Sequence, residues 1–245
     1  MNPATAAARM DRIYRRQRHV YDATRRYFLL GRERLLAELD PPVGGTVLEV
    51  GCGTGRNLVQ AARRHPDAIF YGFDVSALML ETAASSVASA GLWRRVRLAH
   101  ADAGSFDPQR AFGRTAFDRV MISYTLSMIP GWREVLEQSM RLVQPGGELH
   151  VVDFGQQEGL PRLFRTFLFA WLRLFEVMPS AGLPDALIGL AARQGWHLRL
   201  GKPMSGYTIH AILRRPVSAA GNVCFSGRET PPRQDVRMTP GPARC

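Results

Sequence analysis

Lysine is almost absent from this sequence. Lys202 is the only lysine, so the formal net charge of +11 comes almost wholly from arginine. Arginine suits the binding of phosphate and carboxylate groups, and a basic surface fits either nucleic acid or anionic lipid as a partner. A GC-rich genome would also produce an arginine-rich chain, so the charge by itself does not establish a functional basic surface.

Cysteine and long apolar runs are scarce as well. Cys52, Cys224 and Cys245 have no CxxC spacing, and Cys52 lies in a glycine-rich motif where a disulfide would be awkward, so we expect a reducing compartment. No stretch reaches about 18 uninterrupted apolar residues, and the segment up to Arg18 lacks the apolar centre of a signal peptide. We therefore expect a chain that is neither secreted nor membrane-spanning. The histidines lack metal-ligand spacing, and no metal is predicted.

Composition and periodicity divide the chain into three parts. Hydrophobic residues make up 46% of the sequence, which is enough to bury a substantial core and excludes wholesale disorder. Apolar residues at helical spacing predict an N-terminal helical cap over residues 1–40. Residues 41–216 are expected to form one α/β domain with a helical insertion near 156–194. The glycine, proline, serine and arginine content of residues 217–245 predicts a disordered tail.

Strand and helix patterns alternate through the central part. Helical stretches near 56–65, 77–90 and 132–143 separate compact apolar runs, which indicates βαβ units and a parallel sheet. We expect a Rossmann-like α/β fold with a seven-stranded, mostly parallel sheet and an antiparallel edge hairpin. The predicted strands cover residues 46–50, 69–73, 96–99, 117–123, 148–153, 196–200 and 207–213.

The most informative segment is a strand that runs directly into a glycine-rich turn. Residues 47–55 read Val-Leu-Glu-Val-Gly-Cys-Gly-Thr-Gly, and a helical pattern follows. Glycine allows the tight turn and a close ligand approach. Asp74 stands at the end of the second strand, where a carboxylate can accept hydrogen bonds from both hydroxyls of a ribose. The form GxGxG preceded by Glu49 disfavours a dinucleotide, because a pyrophosphate would be repelled by that carboxylate.

This segment resembles motif I of the class I S-adenosylmethionine-dependent methyltransferases. The segment His100–Ala103 and the segment Leu142–Gly147 resemble the family's adenine-contacting acid and its loop before strand five, so that the resemblance covers residues 45–155. It implies a methyltransferase with S-adenosylmethionine as cofactor and makes 41–216 the cofactor-binding domain. The cofactor-binding residues that it implies are Glu49, Gly51, Cys52, Gly53, Gly55, Asp74, Val75, Asp102, Ala103 and Ser123.

Methyl transfer is an in-line displacement, so the protein mainly supplies position, desolvation and stabilisation of cationic charge. An amine acceptor must arrive unprotonated, and aromatic faces near the methyl group can stabilise its developing charge. Tyr14, Tyr21 and Tyr124 are the candidates for this role. Tyr124 follows the fourth strand, at the edge where ligands of open α/β sheets bind. Core packing is an equally good interpretation of Tyr14 and Tyr21.

Nucleic acid is not favoured as the acceptor. Exocyclic-amine methyltransferases carry an Asn/Asp-Pro-Pro-aromatic tetrad after strand four, whereas this chain has Ser-Tyr-Thr-Leu at 123–126. Residues 160–175 are instead apolar almost all round and interrupted by arginines. This helix fits an interfacial position on a membrane, or alternatively a lid packed over the substrate pocket. Its candidate contacts to substrate or membrane are Arg162, Arg165, Trp171 and Arg173.

The basic, aromatic string at 14–32, together with Gly51–Asn57, resembles the bacterial betaine-lipid N-methyltransferases. That resemblance runs from about residue 10 to 215 and implies that diacylglyceryl-homoserine is methylated three times to the trimethyl betaine lipid. It also implies a carboxylate contact at Arg32, cytoplasmic location with peripheral attachment to the inner face of the membrane, and the enzyme that makes the lipid precursor as a partner. Phosphatidylethanolamine N-methylation, quinone-ring C-methylation and a non-catalytic partner protein with a cofactor fold remain alternatives.

Overall fold

A computed structural model describes residues 29–174 and 177–217 of the chain. Two of the candidate tyrosines, Tyr14 and Tyr21, lie outside the described residues. The same holds for most of the predicted N-terminal cap and for the predicted tail after residue 217.

The described residues form an alternating α/β chain with a seven-stranded sheet. The strand order is β3-β2-β1-β4-β5-β7-β6, in which β1 to β5 are parallel, β7 is antiparallel to β5 and β6 is antiparallel to β7. This architecture confirms the predicted fold. The elements are α1 (Arg32–Glu38), β1 (Thr46–Val50), α2 (Arg56–Arg64), β2 (Ile69–Asp74), α3 (Ala77–Ser89), β3 (Val96–His100), α4 (Pro108–Phe112), β4 (Phe117–Ser123), α5 (Trp132–Arg141), β5 (Val143–Phe154), α6 (Arg162–Leu174), α7 (Leu183–Gln194), β6 (His197–Gly201) and β7 (Thr208–Arg214).

Helices cover both faces of the sheet, which explains the continuous apolar runs of the central strands. All five residues of β1 are buried. One core cluster joins the sheet to α1, α2, α3 and α6, and includes Leu36, Leu58 and Leu172. The second cluster joins the opposite face to α5 and α7, and includes Leu136 and Leu187. Both faces of the sheet are therefore covered by helices. The parallel strands β1 to β5 all end at the same edge of the sheet, which we call the carboxyl edge.

The strand β5 is longer than the sequence pattern predicts. Residues 142–147 are expected as a loop, but β5 already begins at Val143, which pairs with Phe117. The register shifts between Phe117 and Arg119, and Gly146 has a φ of 78°. Gly146 and Gly147 thus form an irregularity inside β5 rather than a loop before it, because β5 pairs with β4 both before and after these two glycines.

Two further segments at or near the carboxyl edge are not predicted by periodicity. A single 3-10 turn covers Leu126–Met128 directly after β4. A kinked turn covers Pro203–Gly206 before β7, with positive φ at Met204 and Ser205. Both segments are too short to show a helical period. The 3-10 turn directly follows β4, and the kinked turn directly precedes the start of β7, which pairs with the end of β5.

None of the helices in the described parts of the chain has the length and apolar character that crossing a membrane requires.

Candidate functional site

The glycine-rich turn after β1 forms the floor of the site. Gly51 and Gly53 have φ values of 68° and 53°, in the left-handed region that favours glycine. A Cβ atom at Gly51 would lie 2.4 Å from Cγ2 of Thr125. The hydroxyl of Thr125 donates to the carbonyl of Val50 at 3.1 Å, which fixes the loop after β4 against the turn. A side chain at position 51 is therefore excluded both by conformation and by space.

Asp74 is oriented by backbone groups at the end of β2. Its Oδ2 accepts a hydrogen bond from the N–H of Gly53 at 2.8 Å, and its Oδ1 accepts one from the N–H of Ser76 at 3.0 Å. Each oxygen of a carboxylate can accept about two hydrogen bonds. The buried carboxylate also lines a cavity, where its oxygens can accept hydrogen bonds from the hydroxyls of a ribose.

A cavity of about 130 Å³ opens beside Asp74. Its wall at the end of β3 includes Ala101, Asp102 and Ala103, and Asp102 accepts a hydrogen bond from the N–H of Gly104 at 2.7 Å. The remaining lining is largely apolar, as an adenine ring requires. It comprises Gly51, Gly53, Phe73, Val75, Met79, Gly104, Tyr124, Thr125, Met128, Ile129 and Pro130.

A smaller cavity of about 30 Å³ lies on the other side of the glycine turn, and Gly51 and Gly53 line both cavities. It contains Arg32, Glu49 and Asn57, and the amide of Asn57 donates to Oε1 of Glu49 at 2.7 Å. The carboxylate of Glu49 suits the ammonium group of a methionine moiety, and the guanidinium of Arg32 suits its carboxylate.

Unpartnered atoms support this assignment. Oδ1 of Asn57 and Oγ of Ser123 are buried and have no hydrogen-bond partner within the described structure. Such groups are rare in native proteins unless a ligand or water completes them. Both residues line the smaller cavity. The two cavities together therefore fit S-adenosylmethionine, with the ribose at Asp74 and the methionine part at Glu49.

Cys52 lines the smaller cavity, but its thiol is unreactive. Burial raises its pKa well above the usual value, and the carboxylates of Asp74 and Glu49 add to the shift. A thiol that stays protonated is a poor nucleophile. Cys52 therefore contributes shape to the site rather than a reacting group.

Tyr124 lies at the wall of the larger cavity with a φ of 57°. Its hydroxyl donates a hydrogen bond to the carbonyl of Leu30, and its ring contacts Phe154 edge-on with centroids 4.6 Å apart. Burial raises the pKa of Tyr124 well above its usual value, and Asp153 adds to this effect. The phenol therefore cannot serve as a base at neutral pH, and the ring face is what it offers to a cation.

Asp153 supports the site from the end of β5, and the sequence pattern did not single it out. Its carboxylate accepts hydrogen bonds from the N–H of Ser127 at 3.2 Å and from the N–H of Phe154 at 2.7 Å. Complete burial raises its pKa to about 6, although these hydrogen bonds oppose the shift. Because Met128 lines the larger cavity, Asp153 positions the cavity wall through the 3-10 turn.

The helix α6 has one packed side and one exposed side. Leu168 and Leu172 are buried in the core cluster, and Trp171 is half-buried against it. Leu163 and Phe167 are 88% and 70% exposed. Trp171 thus packs against the core, and the apolar side chains that face solvent are two that were not singled out.

The structure brings together nine of the ten expected cofactor residues around the two cavities. The exception is Gly55, which lines neither cavity; a Cβ there would lie 3.0 Å from Cβ of Ala83, so this glycine lets α2 pack against α3. Arg32, which is expected to contact the carboxylate of the acceptor, lines the smaller cavity. Asn57 and Thr125 were missed, because their roles depend on contacts with Glu49 and Gly51.

Comparisons with known proteins agree with this geometry. Residues 47–147 match the family described as "Methyltransferase domain". The chain is 34% identical over 121 residues to "Methyltransferase GfsG" of Streptomyces halstedii, which is 49% of this chain and 42% of that protein. It is 28% identical over 152 residues to the demethylmenaquinone methyltransferase of Bacillus licheniformis, which is 62% of this chain and 61% of that protein. The chain thus spans about half the length of these curated relatives.

Solved structures show the same fold. An O-methyltransferase family protein from Burkholderia thailandensis superimposes with a TM-score of 0.61 at 21% identity, covering 80% of this chain and 60% of that one. A likeness at this identity concerns the architecture alone. It agrees with the α/β architecture of the described residues.

Proposed function

We propose that this chain, whose residues 47–147 match a methyltransferase domain, uses S-adenosylmethionine to methylate the amine of a lipid headgroup. The acceptor we propose is diacylglyceryl-homoserine, methylated three times to the trimethyl betaine lipid. The N-terminal string and the glycine motif resemble enzymes of this activity. We further propose that the protein acts at the cytoplasmic face of the membrane and receives its substrate from the enzyme that makes it.

The observation that carries this proposal is the exposed side of α6. Leu163 and Phe167 point to solvent, and Arg162 and Arg165 stand beside them in a helix that contains no acidic residue. Apolar side chains flanked by arginines are typical of helices that lie in the interface of an anionic membrane. A helix whose only task was to close a pocket would have no reason to expose both apolar groups.

The segment after α6 returns to the mouth of the cofactor cavity. The N–H of Met178 donates to the carbonyl of Ser127 at 2.8 Å, and the amide of Gln156 donates to the carbonyl of Pro179 at 3.1 Å. Ser127 is the neighbour of Met128, which lines the cavity. A lipid held at α6 would therefore have its headgroup close to the reacting methyl group while its acyl chains stay in the membrane.

The chain's own residues account for the chemistry that methyl transfer needs. The bound cofactor supplies an electrophilic sulfonium methyl group. Asp74 would hold the cofactor at its ribose and Glu49 would hold it at its ammonium group, and this would fix the direction of the methyl group. The apolar wall of Met128 and Ile129 excludes water. The ring of Tyr124 offers a π face to the cation that develops on the acceptor amine.

Quinone-ring C-methylation is the second candidate, because one relative is a demethylmenaquinone methyltransferase. A quinone with a long isoprenoid tail would also use an apolar contact with the membrane. Phosphatidylethanolamine differs from the proposed acceptor only in its headgroup. The exposed side of α6 does not distinguish these acceptors, since all three are membrane lipids.

Mass spectrometry of lipids tests the proposal directly. The chain is expressed with and without an enzyme that supplies diacylglyceryl-homoserine, and the Asp74→Ala variant serves as the inactive control. Mono-, di- and trimethylated homoserine lipids should appear only when the precursor is supplied. Methylated phosphatidylethanolamine or a methylated quinone would replace the proposal with that alternative, and no new lipid in any arm would reject a lipid acceptor.

A further inference from the structure

Two buried polar side chains without partners lie where β5 and β7 meet at the carboxyl edge. Gln157 and Thr208 are both 0% exposed. Neither the amide oxygen nor the amide nitrogen of Gln157 has a hydrogen-bond partner in the part of the chain that the structure describes, and the hydroxyl of Thr208 has none either. Neither residue belongs to the two cofactor cavities.

Burying these atoms without partners destabilises the fold. A buried amide that forms no hydrogen bond loses its contacts with water and gains nothing in return. Native proteins contain few such groups, and most of them are completed by a ligand or an ordered water. An unpartnered amide just after β5 and an unpartnered hydroxyl at the start of β7 therefore point to a ligand with several polar atoms.

The backbone of Gln157 is held in an uncommon conformation. Its φ is 57°, although it is not a glycine. Its N–H donates to the carbonyl of Gly206 at 2.8 Å, and its carbonyl accepts from the N–H of Leu160 at 3.1 Å. Residues kept in this region of backbone space cluster at ligand sites, where the surrounding structure fixes them. The two hydrogen bonds thus fix the backbone of Gln157 and with it the position of its Cα atom.

Two aromatic rings lie between the cofactor cavity and Thr208. Thr208 pairs with Phe154 across β5 and β7, so both side chains lie on the same face of the sheet. The ring of Phe154 contacts that of Tyr124, which lines the cofactor cavity. Neighbouring strands are about 5 Å apart, so β7 lies roughly 10 Å from β4. This distance is comparable to the length of a small lipid headgroup.

The segment before α1 covers the same place. A Cβ atom at Gly31 would lie 3.7 Å from Oγ1 of Thr208. The preceding residue, Leu30, accepts the hydrogen bond from Tyr124. The hydroxyl of Thr208 is therefore enclosed between the sheet and a backbone segment that is attached to the cofactor cavity, and this arrangement shields a bound polar group from water.

We propose that Gln157 and Thr208 form a polar subsite that recognises the headgroup of the methyl acceptor. This inference rests on the proposed function, because it names the part of the chain that selects the acceptor. An amide can accept a hydrogen bond from an amine and donate one to a carboxylate, and the hydroxyl can do either. The subsite therefore fits a headgroup in which an amine and a carboxylate stand close together, as in an amino acid.

The same chemistry disfavours a quinone acceptor. A quinone ring would leave one half of the amide without a partner, and a hydrogen-bonding site discriminates strongly against a ligand that leaves its groups unpaired.

Isosteric variants test the subsite. Gln157→Met and Thr208→Val remove the polar atoms and keep the side-chain volume. Gln194→Met is the matched control, because Gln194 is exposed at the end of α7. Thr208→Ser is the rescue variant, because it retains the hydroxyl. For each variant we would measure thermal unfolding, the Kd for S-adenosylhomocysteine, and KM and kcat with diacylglyceryl-homoserine in mixed micelles.

Both isosteric variants should raise the acceptor KM by roughly tenfold, whereas kcat and the Kd for S-adenosylhomocysteine stay within about twofold. Thermal unfolding should be unchanged or should shift to higher temperature, because an unpartnered buried group has been removed. Gln194→Met and Thr208→Ser should behave like the wild type. An unchanged acceptor KM in both isosteric variants, or a parallel loss of cofactor binding, would overturn the subsite.

A binding experiment separates this inference from the proposed function. Soluble glycerylhomoserine is titrated into the complex with S-adenosylhomocysteine. If the wild type binds and methylates homoserine compounds and the variants do so equally well, the subsite is wrong and the proposed function stands. If the wild type instead methylates phosphatidylethanolamine or a quinone and does not bind glycerylhomoserine, both the proposed acceptor and the headgroup assignment are wrong.

Discussion

The hydroxyl of Tyr124 donates a hydrogen bond to the carbonyl of Leu30, across 94 positions of the sequence. This contact fastens the segment before α1 to the wall of the cofactor cavity. The hydroxyl of Tyr124 is thus used in a contact with the backbone, and the ring is left for the proposed contact with the acceptor. Tyr124 therefore acts as a positioning residue through its hydroxyl, and any contact with the acceptor is made by the ring.

The first prediction concerns this division of tasks. Tyr124→Phe should lower the free energy of unfolding by about 1 kcal/mol, because one hydrogen bond is lost, and it should leave kcat within a few-fold of the wild type. Tyr124→Leu should lower kcat much further, because the π face is gone. Chemical unfolding and methyl-transfer kinetics measure both effects.

Tyr71→Phe is the matched control for this pair. The hydroxyl of Tyr71 accepts a hydrogen bond from Arg114 at 2.8 Å, and its ring belongs to the core cluster on the opposite face of the sheet. This variant should lose a similar amount of stability without a change in kcat. A Tyr124→Phe enzyme that binds cofactor normally but has lost nearly all activity would show that the hydroxyl itself takes part in the reaction.

The second prediction concerns the ribose acceptor. Asp74→Ala should weaken the binding of S-adenosylhomocysteine by roughly tenfold to 100-fold, since hydrogen bonds to a charged group contribute about 1.5–3 kcal/mol. Asp74→Asn should be affected less, because one acceptor oxygen remains. Titration calorimetry measures the Kd, and Asp67→Ala at an exposed position serves as the control. Unchanged affinity in Asp74→Ala would reject the assignment of the cofactor site.

The third prediction concerns the exposed side of α6. Replacing Arg162, Arg165 and Arg173 with glutamine should weaken binding to anionic vesicles on the order of 100-fold, because each basic residue near a membrane surface contributes about 1 kcal/mol. Replacing Leu163 and Phe167 with serine should weaken binding to neutral vesicles as well. Vesicle sedimentation measures both losses.

Cofactor affinity is the control for these variants, because none of the five side chains lines the cofactor cavities. It should stay the same in all of them. Equal vesicle binding by the wild type and the arginine variant would mean that α6 does not face a membrane and would remove the main support for a lipid acceptor.

The fourth prediction follows from the pKa of Asp153, which burial raises to about 6. The ordinary pKa of aspartate is about 3.9, so between these values the folded state binds more protons than the unfolded state. Stability should therefore decrease as the pH rises through this window, by up to about 3 kcal/mol from this group alone, and should level off above it. Urea unfolding across the window measures the slope.

Asp153→Asn should lose this part of the pH dependence, because the amide does not ionise. The variant also loses one acceptor for the N–H groups of Ser127 and Phe154, so its absolute stability is not the readout. The readout is the difference in slope between wild type and variant. An identical slope in both proteins would show that Asp153 titrates near its ordinary value in the folded state.

The local sequence was sufficient to predict the fold and most of the cofactor site. Strand β1, the turn at Gly51 and Gly53, and Asp74 lie within one short stretch of chain, and their order specifies a strand, a turn and an acid at the same edge of a sheet. Buried strands and amphipathic helices differ in period, so their alternation predicts the parallel sheet. These features depend on neighbouring residues and on backbone conformation, which a sequence displays directly.

The tertiary structure alone decided which distant atoms meet. The contacts between Tyr124 and Leu30 and between Asp153 and Ser127 join segments that periodicity treats as independent. Whether a residue of α6 packs or is exposed depends on how the helix docks on the sheet, which explains why Trp171 packs against the core while Phe167 faces solvent. The tertiary structure also decided that the amide of Gln157 has no hydrogen-bond partner among the described residues. A sequence cannot show this, because it depends on every residue that lies near the amide in space.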